Sequence, residues 1–134
     1  IILENITTRL RLKGELSETD FLNRLCERAD CGLLLDVTNL FINARNHHFD
    51  AKTWLRDLDP KRIVQLHVVG YMERDGRLVD NHSADIQEDL WELIHATLDH
   101  AEVRAIIVER DGNFPEMENL ASELQLLSNA LRQH

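Results

Sequence analysis

The chain has 134 residues, 43% hydrophobic and 29% charged, which suits one globular domain and is too short for two ordinary ones. Fifteen Lys and Arg against 24 Asp and Glu leave a net charge of −9, which disfavours a protein that tracks a nucleic-acid backbone. No apolar run approaches the roughly 20 residues that span a bilayer, and the N-terminus has no basic segment followed by an apolar stretch and a cleavage site. Cys26 and Cys31 are too few for a disulfide scaffold and are not spaced like a zinc knuckle, so a reducing cytoplasm is the expected compartment.

One pattern occurs four times along the chain: a short apolar run, a polar residue at its end, a loop and a helix. The first run is Ile1-Ile2-Leu3, closed by Glu4; it opens without Met inside a strand, so a piece of a longer polypeptide is expected. Its helix begins near Ser17, where Ser17-x-x-Asp20 resembles a capping box, with Phe21, Leu22, Leu25 and Ala29 as the buried stripe and Gly32 as the stop. The second run, Leu33 to Leu35, ends in Asp36 and is followed by a short helical turn around Asn39–Ala44 and another from Ala51 to Leu58, broken at Asp59-Pro60. The third run is Ile63–Val69, closed by Gly70, after which Arg74-Asp75-Gly76-Arg77 reads as a tight turn needing positive φ. A helix over Asp85–His100 buries Ile86, Leu90, Leu93, Ile94, Thr97 and Leu98. The fourth run, Ala105 to Val108, ends at Glu109, and Pro115 opens a helix whose inner face is Met117, Leu120, Leu124, Leu127 and Leu131.

Consecutive rather than alternating apolar residues indicate strands covered on both faces, and interleaved helices indicate parallel crossovers. The fold class is therefore α/β, with strands near residues 1–4, 33–36, 63–69 and 104–109. An open doubly wound sheet fits this length, but no Gly-rich phosphate loop follows any strand. An eight-unit barrel takes roughly 250 residues, so the expected architecture is a partial (β/α)8 barrel of about four units: residues 1–134 as one partial domain without the N-terminal strands. Its two raw sheet edges would favour self-association.

Functional groups in both architectures gather at the C-terminal strand ends, which here carry Glu4, Asp36, His67 and Glu109. Four such groups converging without a shared cation would be costly. In an extended segment Asp80 and His82 point the same way and could bind one ion together, and Asn39 stands one helical turn past Asp36. Each also has a plain reading: Glu4 as a solvated strand end, Asp36 as a helix cap, Asp80 and His82 as loop polarity, His67 as a hydrogen-bonded core histidine. The other histidines read as loop, helix-surface or terminal residues, and both cysteines as buried thiols. Oxygen and imidazole donors without thiolate suit iron, manganese or zinc, and their number exceeds what one ion takes.

The segments Ile2-Leu3-Glu4-Asn5-Ile6, Gly32 to Asn39, Phe41 to His47, Gln65-Leu66-His67, Asp80-Asn81-His82 and Ile107 to Asp111 with Asn113 and Pro115 resemble the domain-of-unknown-function family 692, whose best-known members are MbnB-like and TglH-like enzymes. The resemblance covers essentially the whole chain and implies the C-terminal half of a barrel related to xylose isomerase and endonuclease IV. It implies Glu4, Asp36, His67, Asp80, His82 and Glu109 as metal ligands, with Asn39 where endonuclease IV carries a histidine. It further implies two or three iron ions in the intact site and oxidation, with dioxygen, of a cysteine in a ribosomally made precursor peptide. A small leader-binding partner protein would assist. Two other readings stand beside it: a zinc phosphodiesterase resembling endonuclease IV, which the net charge of −9 opposes, and an inactive metal-binding fragment.

Overall fold

The computed structural model describes residues 1–11 and 13–134. In chain order it runs β1 (Ile2–Glu4), α1 (Glu18–Ala29), β2 (Gly32–Asp36), α2 (Val37–His47), α3 (Ala51–Arg56), a 3-10 turn at Pro60–Arg62, β3 (Ile63–Val68), β4 (Gly70–Arg74), β5 (Arg77–Ala84), α4 (Glu88–His100), β6 (Ala105–Val108) and α5 (Met117–Gln133). Strands β1, β2, β3 and β6 form one parallel four-stranded sheet in that order, so the expected βα repeats lie side by side as they follow in sequence. Strands β4 and β5 form a separate antiparallel hairpin. The expected turn closes it, with Asp75 at φ 53° and Gly76 at φ 72°, both in the left-handed region that Asp-Gly adopts at low cost.

Alternation divides each strand of the sheet between two faces. Leu33, Leu35, Leu66 and Val68 are buried on the helix side, packed with Leu3, Ile106 and Val108 against Leu40 of α2 and Leu90, Leu93 and Ile94 of α4. The opposite face carries Leu34, buried, and Ile2 and Ile107, which stay 40% and 43% exposed. The apolar runs thus reflect a filled helix side and a half-covered second face.

Local chemistry sets the helix bounds. Ser17 caps α1 by accepting from Asp20 N at 3.0 Å, as the sequence predicts, but the helix stops at Asp30, left-handed at φ 47°, and not at Gly32. Gly32 instead opens β2, where a Cβ would meet Val64 Cγ2 at 3.0 Å and Ile2 Cγ2 at 3.2 Å. The buried stripe of α1 is also rotated from the expected one. Thr19 and Cys26 are buried while Phe21 is 54% exposed, because Asn23 faces inward to hold Asp57 O at 2.8 Å and Asp59 N at 2.9 Å. On α5 Leu127 and Ala130 are buried, but Met117 and Leu124 are 76% and 45% exposed, so only the C-terminal half of the expected face packs. The α4 stripe matches the expectation from Leu90 on, with Leu93, Ile94, Thr97 and Leu98 also buried, but the helix starts at Glu88 and not Asp85, so Ile86 precedes it and is half-buried.

Helix α2 is longer than the expected turn and is buried on every side from Val37 to Ala44. Its polar residues survive burial because each pairs with main chain. Thr38 Oγ1 donates to Val69 O at 2.7 Å and accepts from Val69 N at 3.0 Å. Asn43 spans Ile6 O and Thr8 N, and Asn46 spans both main-chain groups of Leu78. Among the described residues no helix is long and apolar enough to cross a membrane.

Candidate metal centre

The C-terminal ends of the four parallel strands bring Glu4, Asp36, His67 and Glu109 together on the sheet face away from the helices. One ligand atom from each lies within 4.8 Å of those of the others. His67 Nδ1 stands 3.1 Å from Glu4 Oε1 and 3.0 Å from Glu109 Oε2. A single ring nitrogen carries at most one proton, so a neutral His67 can donate to only one of those carboxylates.

Asp36 combines the two roles that the sequence left open. Its Oδ1 caps α2 by accepting from Asn39 N at 2.6 Å, while its Oδ2 is buried with no hydrogen-bond partner. Burial pushes its carboxyl up to about 7, outweighing the Asn39 bond, with the charges of Asp80 and Glu4 adding to the rise. Asn5 fixes the strand end beneath it: its side chain accepts from Asp36 N at 2.8 Å and donates to Asp36 O at 2.9 Å, extending the β1–β2 ladder by one carboxamide. Asn39 Nδ2 donates to Asn5 O at 3.1 Å, which leaves Asn39 Oδ1 buried and unpaired.

Asp80 and His82 lie on β5, a strand of the hairpin and not the loop that the sequence implies. His82 Nε2 is 2.7 Å from Asp80 Oδ1, and its Nδ1 is 3.9 Å from Glu109 Oε2 and 3.4 Å from Asp111 Oδ2. Glu109 is therefore the link between the four-residue cluster and the Asp80–His82 pair. Burial raises the Asp80 carboxyl above its ordinary value; His82 opposes the rise, and Glu109, Asp111 and Glu4 add to it. His82 itself sits at φ 49°, a left-handed backbone that costs a β-carbon-bearing residue of order 1 kcal/mol or more.

The remaining polar candidates lie elsewhere. His47 Nε2 is 2.9 Å from Thr8 O, and His100 Nε2 is 3.1 Å from Leu58 O, each holding a chain segment. Both cysteines are free and buried, and burial pushes the Cys26 thiol up to about 11, far from a nucleophile's range. A cleft lined by Pro60, Lys61, Val64 and Arg104 lies at the opposite, N-terminal ends of β3 and β6. Asn5, Thr38, Asn43 and Asn46 hold the site's surroundings without standing at a strand end or in a ligand-like cluster in the sequence. The available signal was the spacing of Asn39, Asn43 and Asn46 on one helix, together with an Asn directly after the strand-end Glu4.

A parallel α/β sheet that gathers carboxylates and a histidine at its strand ends, with buried oxygens left unpaired, is a frame that could hold a metal ion. The chain belongs to the family described as RiPP precursor modification enzyme MbnB/TglH/ChrH, which matches residues 1–132. A UPF0276 protein of Pseudomonas aeruginosa strain UCBPP-PA14 is 42% identical over 125 residues, which are 92% of this chain and 44% of that protein. One from Bordetella pertussis strain Tohama I is 40% identical over 129 residues, covering 92% and 45%, and one from Rhizorhabdus wittichii strain RW1 is 31% identical over 134 residues, covering 100% and 48%. The chain thus spans about half the length of the curated relatives it matches.

Proposed function

We propose that this protein contributes the C-terminal half of the active site of a multinuclear iron enzyme that oxidises a cysteine in a ribosomally made precursor peptide. The observation that carries the metal site is the convergence of Glu4, Asp36, His67 and Glu109 with Asp36 Oδ2 and Asn39 Oδ1 buried and unpaired. Buried oxygens without partners cost about 1–3 kcal/mol each, and a cation is the partner that fits an all-oxygen and imidazole set. Family membership supports the peptide substrate.

The residues fit such ions as two groups sharing Glu109: Glu4, Asp36 and His67 on one side, Asp80 and His82 on the other, with Asn39 Oδ1 available beside Asp36. Iron bound there would supply a Lewis acid for the thiolate and redox capacity toward dioxygen. The chain's own part is orientation. Asn5 and the Asn39 amide hold the Asp36 and Glu4 strand ends in register, and the hairpin carries Asp80 and His82 over them. Four sequential βα units also support the reading of half a (β/α)8 barrel, and in that reading the single-sided edges of β1 and β6 are where further strands or a second copy would join. A small partner that grips the peptide leader completes the proposal.

The test loads the protein, together with the remaining half of a full-length relative and its candidate partner, with ferrous iron in air and follows the mass of Cys-containing and Ser-substituted peptides. A mass change confined to the Cys peptides is expected. Unmodified peptides with cleavage of abasic DNA in zinc would replace this reading by the phosphodiesterase one, which the net charge of −9 opposes.

A further inference from the structure

The hairpin that carries Asp80 and His82 shares no ladder with the sheet that carries His67 and Glu109. Within the sheet, register sets where strand-end side chains stand. Between sheet and hairpin, something else must set the distance from His82 to Glu109.

Two ties flank that pair. His82 O accepts from Asp111 N at 2.7 Å and from Gly112 N at 3.4 Å, joining the end of β5 to the segment just past β6. Beside them, Arg110 has a side chain only 5% exposed; its Nη2 lies 2.8 Å from Asp85 Oδ1 and donates to Glu123 Oε2 at 3.3 Å, while its Nε is buried without a partner. Glu123, itself 13% exposed on α5, uses its other oxygen to accept from Ile86 N at 3.0 Å. Arg110 therefore staples the end of β6 to the segment just past β5 and to α5. Burying a guanidinium is expensive even when paired, and an apolar side chain of similar volume would fill the same space with less penalty. One Nη2 shared between two carboxylates differs from such a filler by its direction: it ties two segments to one point as well as filling a volume.

We propose that Arg110, held by Glu123 and Asp85, is a positioning residue that sets the spacing between Glu109 and His82 and so couples the hairpin half of the metal centre to the sheet half. This rests on the metal-centre reading for its purpose, but the tie itself can be tested without metal. Three loss variants serve: Arg110→Gln, Glu123→Gln, which is isosteric and the gentler of the two, and both together, with Arg110→Lys as a fourth, conservative variant. In the metal-free protein, hydrogen exchange of the Asp111 and Gly112 amides should quicken at least tenfold in each loss variant, while Leu66 and Val68 amides keep their wild-type rates. In zinc titrations each single loss variant should bind at least tenfold more weakly. The double variant should be no weaker than the worse single, because the two groups act as one unit, and Arg110→Lys, which keeps the charge without the fork, should recover part of the loss.

Unchanged exchange at Asp111 and Gly112 overturns the proposal. So does faster exchange spread evenly over all core amides, which marks Arg110 as a general stabiliser. A wild-type protein that takes up no zinc removes the metal-centre reading, and the exchange experiment then decides the tie alone.

Discussion

Replacing Asp36 by Asn separates what this carboxylate does for the fold from what it does for a cation. The native carboxyl is 1% exposed and is pushed up from an ordinary 3.8 to about 7, equivalent to about 4 kcal/mol in favour of its protonated form. A folded-state value above the unfolded one means that its contribution to stability is complete below about pH 4 and is lost as the pH rises through about 7. Asn cannot ionise, and its Oδ1 can still cap α2 through Asn39 N. In metal-free protein the difference in unfolding free energy between Asp36→Asn and wild type should therefore grow in favour of the variant by roughly 3 kcal/mol from pH 5 to pH 8. Titrating groups that do not interact with Asp36 cancel in that difference. Asp36→Ala should gain less by about 1 kcal/mol, because it also loses the cap. Urea unfolding with chelator present, at half-unit pH steps, measures this. Added zinc should then stabilise wild type at pH 8 by clearly more than it stabilises Asp36→Asn, which keeps only the Asp80, His82 and Glu109 group intact. A pH-independent difference, or an Asn variant less stable than wild type at pH 8, would refute the reasoning and make Asp36 a structural anchor.

Two further substitutions probe how the site is held. Thr38→Val leaves both main-chain groups of Val69 buried and unpaired, so a loss of about 3 kcal/mol in urea unfolding is expected, against under about 1 kcal/mol for Thr38→Ser, which keeps both bonds. Gly70→Ala would place a Cβ against the main-chain carbonyl of Asp85 and 2.6 Å from Ala84 O, neither of which can rotate away. It should cost about 3 kcal/mol or more and shift amide resonances along β5, with Asp80 and His82 among them, while those of β1 and β2 stay put. Native-like β5 resonances in Gly70→Ala would count against the close approach at this turn.

The chain's own residues determine the four βα units, because the signals are local: apolar runs of strand length, a Ser17 cap, an Asp75-Gly76 turn and a polar residue at the end of each run. They also mark Glu4, Asp36, His67 and Glu109, since alternation along a parallel strand fixes which face each side chain takes once the neighbouring helix side is known. Tertiary structure alone decides the rest. Phe21 is exposed and Cys26 buried because Asn23 finds main-chain partners 34 and 36 residues away. His82 adopts a left-handed backbone, and Asn5, Asn39, Asn43 and Asn46 become clamps on distant segments, because each depends on a partner brought close only by folding. Hydrophobic periodicity records which side of an element meets the core; it carries no record of which main-chain group, far along the chain, an inward-facing carboxamide will meet.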